Sequence, residues 1–186
     1  MLFYLKRYPV LELLGAVVLS LTAWLGARIC GVTIEFAPTP LALTAGIAGL
    51  VALGIWTKGV QLGYALIRGR DYAQRLTVSL ARFYADASLP QILLAGIAAA
   101  GEEAFFRGFI QTRFGLAAGA LAFMAAHIGG KEIRVIGYWS VFQGLGLGAL
   151  YRATGNLLAP VIAHSLFDIG AMVYFRSLMR AIEPKR

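Results

Sequence analysis

Apolar runs close to or beyond twenty residues recur along this 186-residue chain, and they restrict its folding options more than any other feature. A helix rises ~1.5 Å per residue, so about 20 apolar residues cross a hydrocarbon core of ~30 Å. Backbone N–H and C=O groups must pair within such a run when it lies in lipid, and a helix does this. Hydrophobic residues make up 59% of the chain and charged residues only 14%. The fold class is therefore expected to be all-α: a polytopic membrane helical bundle.

Six spans are expected, at residues 10–27, 41–57 with a helical extension to 67, 89–112, 116–128, 133–151 and 157–178. The fourth is short for a full crossing. Between the second and third spans, Tyr72, Leu76, Leu80 and Phe83 recur at helical spacing opposite Arg70, Asp71, Gln74, Arg75 and Arg82. That pattern predicts an amphipathic helix lying in the membrane interface, serving as an anchor. Gly144 with Gly148, Gly59 with Gly63, and Gly115 with Gly119 are four apart, a spacing that lets helix backbones approach. No repeat or low-complexity stretch interrupts the pattern, so residues 1–186 read as one integral membrane domain.

The net charge of +8 is explained by orientation. With the N-terminus inside, Lys6, Arg7, Lys58, Arg68, Arg70, Arg75, Arg82, Lys131, Arg134, Arg176, Arg180, Lys185 and Arg186 fall on the cytoplasmic side. Arg28, Arg113 and Arg152 fall outside, and Arg107 is intramembrane. Both termini are then cytoplasmic, in a bacterial or archaeal cell membrane, with the basic residues against anionic headgroups. No nucleic-acid motif accompanies the charge, so no nucleic-acid partner is expected. Lys6 and Arg7 precede an apolar run as in a secretory signal, yet the run contains Glu12 and lacks a small-residue cleavage site. A retained first helix is expected. The single cysteine, Cys30, excludes an internal disulfide and a multi-cysteine metal site, and is expected to pack.

The chemistry concentrates where charge is costly. Glu102, Glu103 and Arg107 interrupt the third apolar run, and ionisable residues at such depth are functional-site candidates. Glu103 and Arg107 are four apart, acid first, the favourable order for a pair on one helix face. Glu102 points about 100° away and is the less neutralised carboxylate. His127 lies near the end of the fourth run, while His164 and Asp168 share one face of the sixth. Counted at ~1.5 Å per residue from the outer ends, Glu102 lies about 16 Å deep, His127 about 18 Å, His164 about 12 Å and Asp168 about 18 Å. Each group alone is compatible with structural stapling, but their common depth is not expected of unrelated polar residues. Tyr138, Trp139 and Gln143 on the fifth run are expected to pack.

Glu102-Glu103-Ala-Phe-Phe-Arg107 resembles the EExxxR motif, Phe123-Met-Ala-Ala-His127 the FxxxH motif, and His164-Ser-Leu-Phe-Asp168 the HxxxN/D motif of the CAAX prenyl endopeptidase and bacteriocin-processing (CPBP) family, in family order. The resemblance covers roughly the C-terminal half. It implies an intramembrane glutamic-type endopeptidase without cofactor or metal. Carried over by position, Glu102 is the base that activates water and His127 helps hold that water. Glu103 with Arg107 shapes the site, and His164 with residue 168 stabilises the oxyanion.

Aspartate stands here in place of the asparagine of other members, and an ionised Asp168 would repel an oxyanion. A hydrogen bond that Asp168 accepts from His164, orienting the ring, is the expectation. A zinc-dependent alternative uses Glu102, Glu103, His127, His164 and Asp168 as ligands, although no HExxH pair is present and Arg107 disfavours a nearby cation. A further alternative is a non-catalytic scaffold or immunity protein. The implied partner is a membrane-anchored protein or peptide substrate: a prenylated C-terminal tail, a bacteriocin precursor, or a C-terminal anchor-sorting signal.

Overall fold

The structure, a computed structural model, describes the backbone of residues 9–128 and 134–182, and side chains within these ranges other than those of residues 9, 12 and 134–136. The helices are α1 (Pro9–Cys30), α2 (Pro40–Arg68), α3 (Arg70–Tyr84), α4 (Leu89–Phe114), α5 (Leu116–His127), α6 (Arg134–Thr154) and α7 (Leu158–Ile182). The charges expected at Lys6, Arg7, Lys131, Lys185 and Arg186 lie outside the described residues, as does the Arg134 side chain.

Four of these helices are long and apolar enough to cross a membrane: α1 over Leu13–Cys30, α2, α4 and α7. The protein is an all-α membrane helical bundle. Of the six expected spans, these four have the length and apolar composition of a crossing. Helix α5 is apolar but has 12 residues, and the 21 residues of α6 are diluted by Ser140, Gln143 and several glycines. The expected extension of the second span is real, because α2 runs 29 residues without a break. Helix α3 forms where the amphipathic pattern put it. Arg70, Asp71, Gln74, Arg75 and Arg82 are exposed, and the opposite face packs on α2 and α7.

Local chemistry sets the helix ends. Thr39 caps α2, its hydroxyl accepting from the Ala42 amide at 3.1 Å, with Pro40 following in the first turn. Ser88 and Gln91 form a reciprocal capping box at the start of α4. Between α2 and α3 the chain turns at Gly69 with φ +89°, a conformation that L side chains rarely adopt.

Helix α4 sits at the centre of the bundle, packed against α1, α5 and α7. Gly101 permits its approach to α1, since a Cβ there would lie 2.7 Å from the Ala16 carbonyl oxygen. Gly144 does the same for α6 against α5, where a Cβ would meet the Ala120 Cα at 3.1 Å. The glycine expectation also holds at Gly119, where a Cβ would lie 3.0 Å from the Phe106 carbonyl oxygen, and at Gly148, where it would strike the Gln111 and Leu116 side chains, but it fails at the other three. A Cβ at Gly59, Gly63 or Gly115 would meet nothing within 4 Å, and Gly115 instead turns the chain at φ +90°. Cys30 is exposed, not packed, because it ends α1 beyond the helix contacts.

The side chains invert the pattern of a water-soluble core. Glu103 and Arg107 are completely buried, whereas Leu21, Ile47, Val51, Leu93 and Ile97 are exposed on the outer faces. An apolar exterior of this extent suits contact with hydrocarbon.

Candidate active site

The middle of α4 departs from α-helical geometry. Leu89–Glu103 is α-helical, Ala104–Gln111 is π-helical, and Thr112–Phe114 returns to α. Wider π-turns often mark functional sites, and here the change begins directly after the paired glutamates. The Thr112 hydroxyl donates to the Arg107 carbonyl oxygen at 3.0 Å, five residues back. Gln111 anchors the same segment to α6, donating from Nε2 to the Gly148 carbonyl oxygen at 2.8 Å. Gln111 was available to sequence reasoning as another polar residue in an apolar run, but the π-helical segment carries no comparable signal.

Glu103 accepts from both sides. Its Oε1 receives Arg107 Nη1 at 2.9 Å and His164 Nδ1 at 2.7 Å, all three side chains being buried. Because the carboxylate accepts, Nδ1 of His164 carries the proton of that bond. Arg107 also donates from Nη2 to the Gly144 carbonyl oxygen at 3.4 Å, tying the pair to α6.

This arrangement corrects the expected role of Asp168. Its Oδ2 stands 3.8 Å from His164 Nε2, beyond hydrogen-bond length, so Glu103 and not Asp168 holds the imidazole. One helical turn separates His164 from Asp168 on α7, whereas Glu103 reaches the ring from another helix. The expected pairing used sequence neighbours and missed the interhelical one.

Glu102 faces a different partner. Its Oε2 lies 3.6 Å from His127 Nε2 and has no hydrogen-bond partner among the described residues, although Glu102 is only 3% exposed. The far side of His127 is defined by Nδ1, which lies 2.8 Å from the Phe123 carbonyl oxygen. A carbonyl only accepts, so Nδ1 bears the proton and a neutral His127 turns its Nε2 lone pair toward Glu102. Two acceptors 3.6 Å apart do not bond directly, but one water can donate to both.

Phe123 is the packing hub. Its ring centroid lies 4.2 Å from that of His127, 5.6 Å from that of His164 and 4.3 Å from the Arg107 guanidinium carbon. The ring is fully buried, filling the space between both imidazoles and the cation. All six expected site residues thus lie in one interconnected cluster from α4, α5 and α7.

A cavity of about 430 Å³ opens onto the cluster through His127, His164 and Asp168. Its other walls come from α2, α3, α6 and α7. Trp139 and Gln143 line it, contrary to the packing expected of them, while Tyr138 is exposed and does not. Trp139 Nε1 donates to the Tyr64 hydroxyl, joining α6 to α2 across one wall. Helix α3 contributes Leu76, Leu80 and Tyr84, so this helix walls the cavity in addition to any anchoring role. Among the described residues no three His, Cys, Asp or Glu side chains form a group that could hold one metal ion.

Residues 85–170 match the family described as type II CAAX prenyl endopeptidase Rce1-like. An uncharacterized protein of Bacillus subtilis (strain 168), YpbD, is 34% identical over 93 residues, covering 47% of this chain and 47% of that protein. The matched stretch thus spans about half the length of this curated relative. No solved structure matches the chain. The matched segment contains the whole cluster from Glu102 to Asp168, and over residues 85–170 this chain is similar to the Rce1-like CAAX prenyl endopeptidase family.

Proposed function

We propose that this protein is an intramembrane endopeptidase that hydrolyses a peptide bond in a membrane-associated protein or peptide, with Glu102 activating the attacking water and no metal taking part. The observation that carries this reading is the buried Oε2 of Glu102, without a hydrogen-bond partner among the described residues and 3.6 Å from His127 Nε2. A water donating to both atoms presents an oxygen lone pair to the cavity. Glu102 takes a proton as that oxygen bonds to the scissile carbonyl carbon, and returns it to the departing amine.

The tetrahedral oxyanion needs a donor in a water-poor site. His164 supplies one from Nε2 when its ring carries both protons, a form flanked by the carboxylates of Glu103 and Asp168. Arg107 already compensates Glu103, which supports a site that works without a metal. The substrate is proposed to be a C-terminal anchor-sorting signal or a CAAX-like tail. The proposed topology has six crossings, α5 and α6 included, with both termini cytoplasmic and the chain acting as one membrane domain.

The test is mass spectrometry of membrane proteins from cells carrying the parent or Glu102→Gln. New chain ends are expected only with the parent. Equal profiles and an equally functional Glu102→Gln protein would overturn the enzyme and favour a scaffold. Activity of chelator-washed protein that disappears with a bound metal and returns with zinc would overturn the metal-free mechanism.

A further inference from the structure

The cavity described above is mainly apolar, with Leu50, Leu76, Leu80, Phe167 and Phe175 among its walls, yet one cation reaches it. Lys58 is the only Lys or Arg lining it among the described residues. Its ammonium donates to Gln61 Oε1 at 3.2 Å and lies 5.4 Å from the Tyr174 ring centroid, and Gln61 and Tyr174 also line the cavity. A long side chain free to extend into water is instead held over an aromatic face, with no salt bridge to a carboxylate among the described residues.

Position adds a distance. Tyr174 lies six residues beyond Asp168 and ten beyond His164 on α7, which is about 9 Å and about 15 Å along the axis. At ~3.3 Å per residue an extended chain covers these lengths in about three to five residues. A peptide lying along the cavity with its reacting bond at the histidines therefore brings a group three to five residues away to the level of Lys58.

We propose that Lys58 is a specificity-determining residue that binds a carboxylate on the substrate, three to five residues from the scissile bond. The inference rests on the endopeptidase reading for its peptide substrate. A mainly apolar cavity with one lysine at the level of Tyr174, away from His164 and Asp168, suits an apolar segment bearing one anion, and the carboxylate comes either from the peptide C-terminus or from an acidic side chain. Lys58 is exposed, so its attraction is partly screened and the selectivity is about fivefold.

The experiment uses Glu102→Gln protein in phosphatidylcholine vesicles, where bound peptide stays intact. It is offered acetylated hexapeptide pools of Ala, Val, Leu and Phe as free acids or as C-terminal amides. Amide pools carrying one internal Glu or Gln are offered in parallel. Retained peptides are quantified by mass spectrometry. About fivefold preference for free acids assigns the carboxylate to the chain terminus, and the same preference for Glu over Gln assigns it to a side chain. The preference should fall to about one in Lys58→Gln and persist in Lys58→Arg. Equal retention, no retention, or a preference that survives Lys58→Gln would overturn the proposal. Acid-selective retention by a protein whose parent form cleaves nothing would overturn the endopeptidase and leave the Lys58 site standing.

Discussion

Glu103 and His164, 61 residues apart in the chain, share a 2.7 Å hydrogen bond at the buried centre of the bundle. The same carboxylate oxygen holds Arg107, so one atom of Glu103 ties α4 to α7 while the guanidinium reaches α6. Glu102 is its immediate neighbour and takes no part in this network. The adjacent glutamates therefore make different contacts.

Removing Glu103 should principally affect the fold. Glu103→Ala leaves Arg107 buried without its counter-charge, and breaking such a pair costs about 3–5 kcal/mol. Thermal unfolding in detergent should show a large loss. An unfolding temperature like the parent's would mean that the pair contributes nothing.

Glu102→Gln should have the opposite effect. Its Oε2 makes no hydrogen bond among the described residues, so stability should be nearly unchanged. Hydrolysis should fall by about 10²–10⁴, the range supplied by a positioned base. Single-turnover assays on a cleaved substrate measure this, and a loss below tenfold would argue against Glu102 as the base.

Phe123 should link packing to chemistry. Phe123→Ala should cost about 3–5 kcal/mol as a buried aromatic truncation. Phe123→Leu keeps much of the volume but removes the ring from Arg107 and His127, so kcat should drop with the protein still folded. Unchanged kcat in Phe123→Leu would reduce the ring to filler.

Asp168→Asn should be mild. Asp168 stands 3.8 Å from His164, whose orientation comes from Glu103, so the variant removes only one of the two charges flanking the ring and activity should fall by about tenfold at most, a barrier change of about 1.4 kcal/mol. A loss comparable to that of Glu102→Gln would restore Asp168 as the group governing His164.

The glycines divide into two classes. Gly101→Ala should destabilise by about 1–3 kcal/mol through overpacking against the Ala16 carbonyl. Gly59→Ala meets open space and should stabilise by about 0.4–1 kcal/mol by restricting the unfolded chain. Similar unfolding temperatures for the two variants would contradict the packing described for α1 and α4.

The sequence by itself determined the helical class, four of the six expected membrane-length helices, the amphipathic α3 and the polar residues that gather at one place. Those features depend on composition, on helical period and on the cost of charge in hydrocarbon, all of which are read within one segment. Only the tertiary structure decided that Glu103 rather than Asp168 holds His164, that α4 turns π-helical after Glu103, and that Trp139, Gln143 and α3 wall the cavity. Those outcomes depend on which helix faces which and at what rotation. Spacing along one helix fixes neighbours only on that helix, whereas partners across the bundle are chosen by packing among segments far apart in the chain.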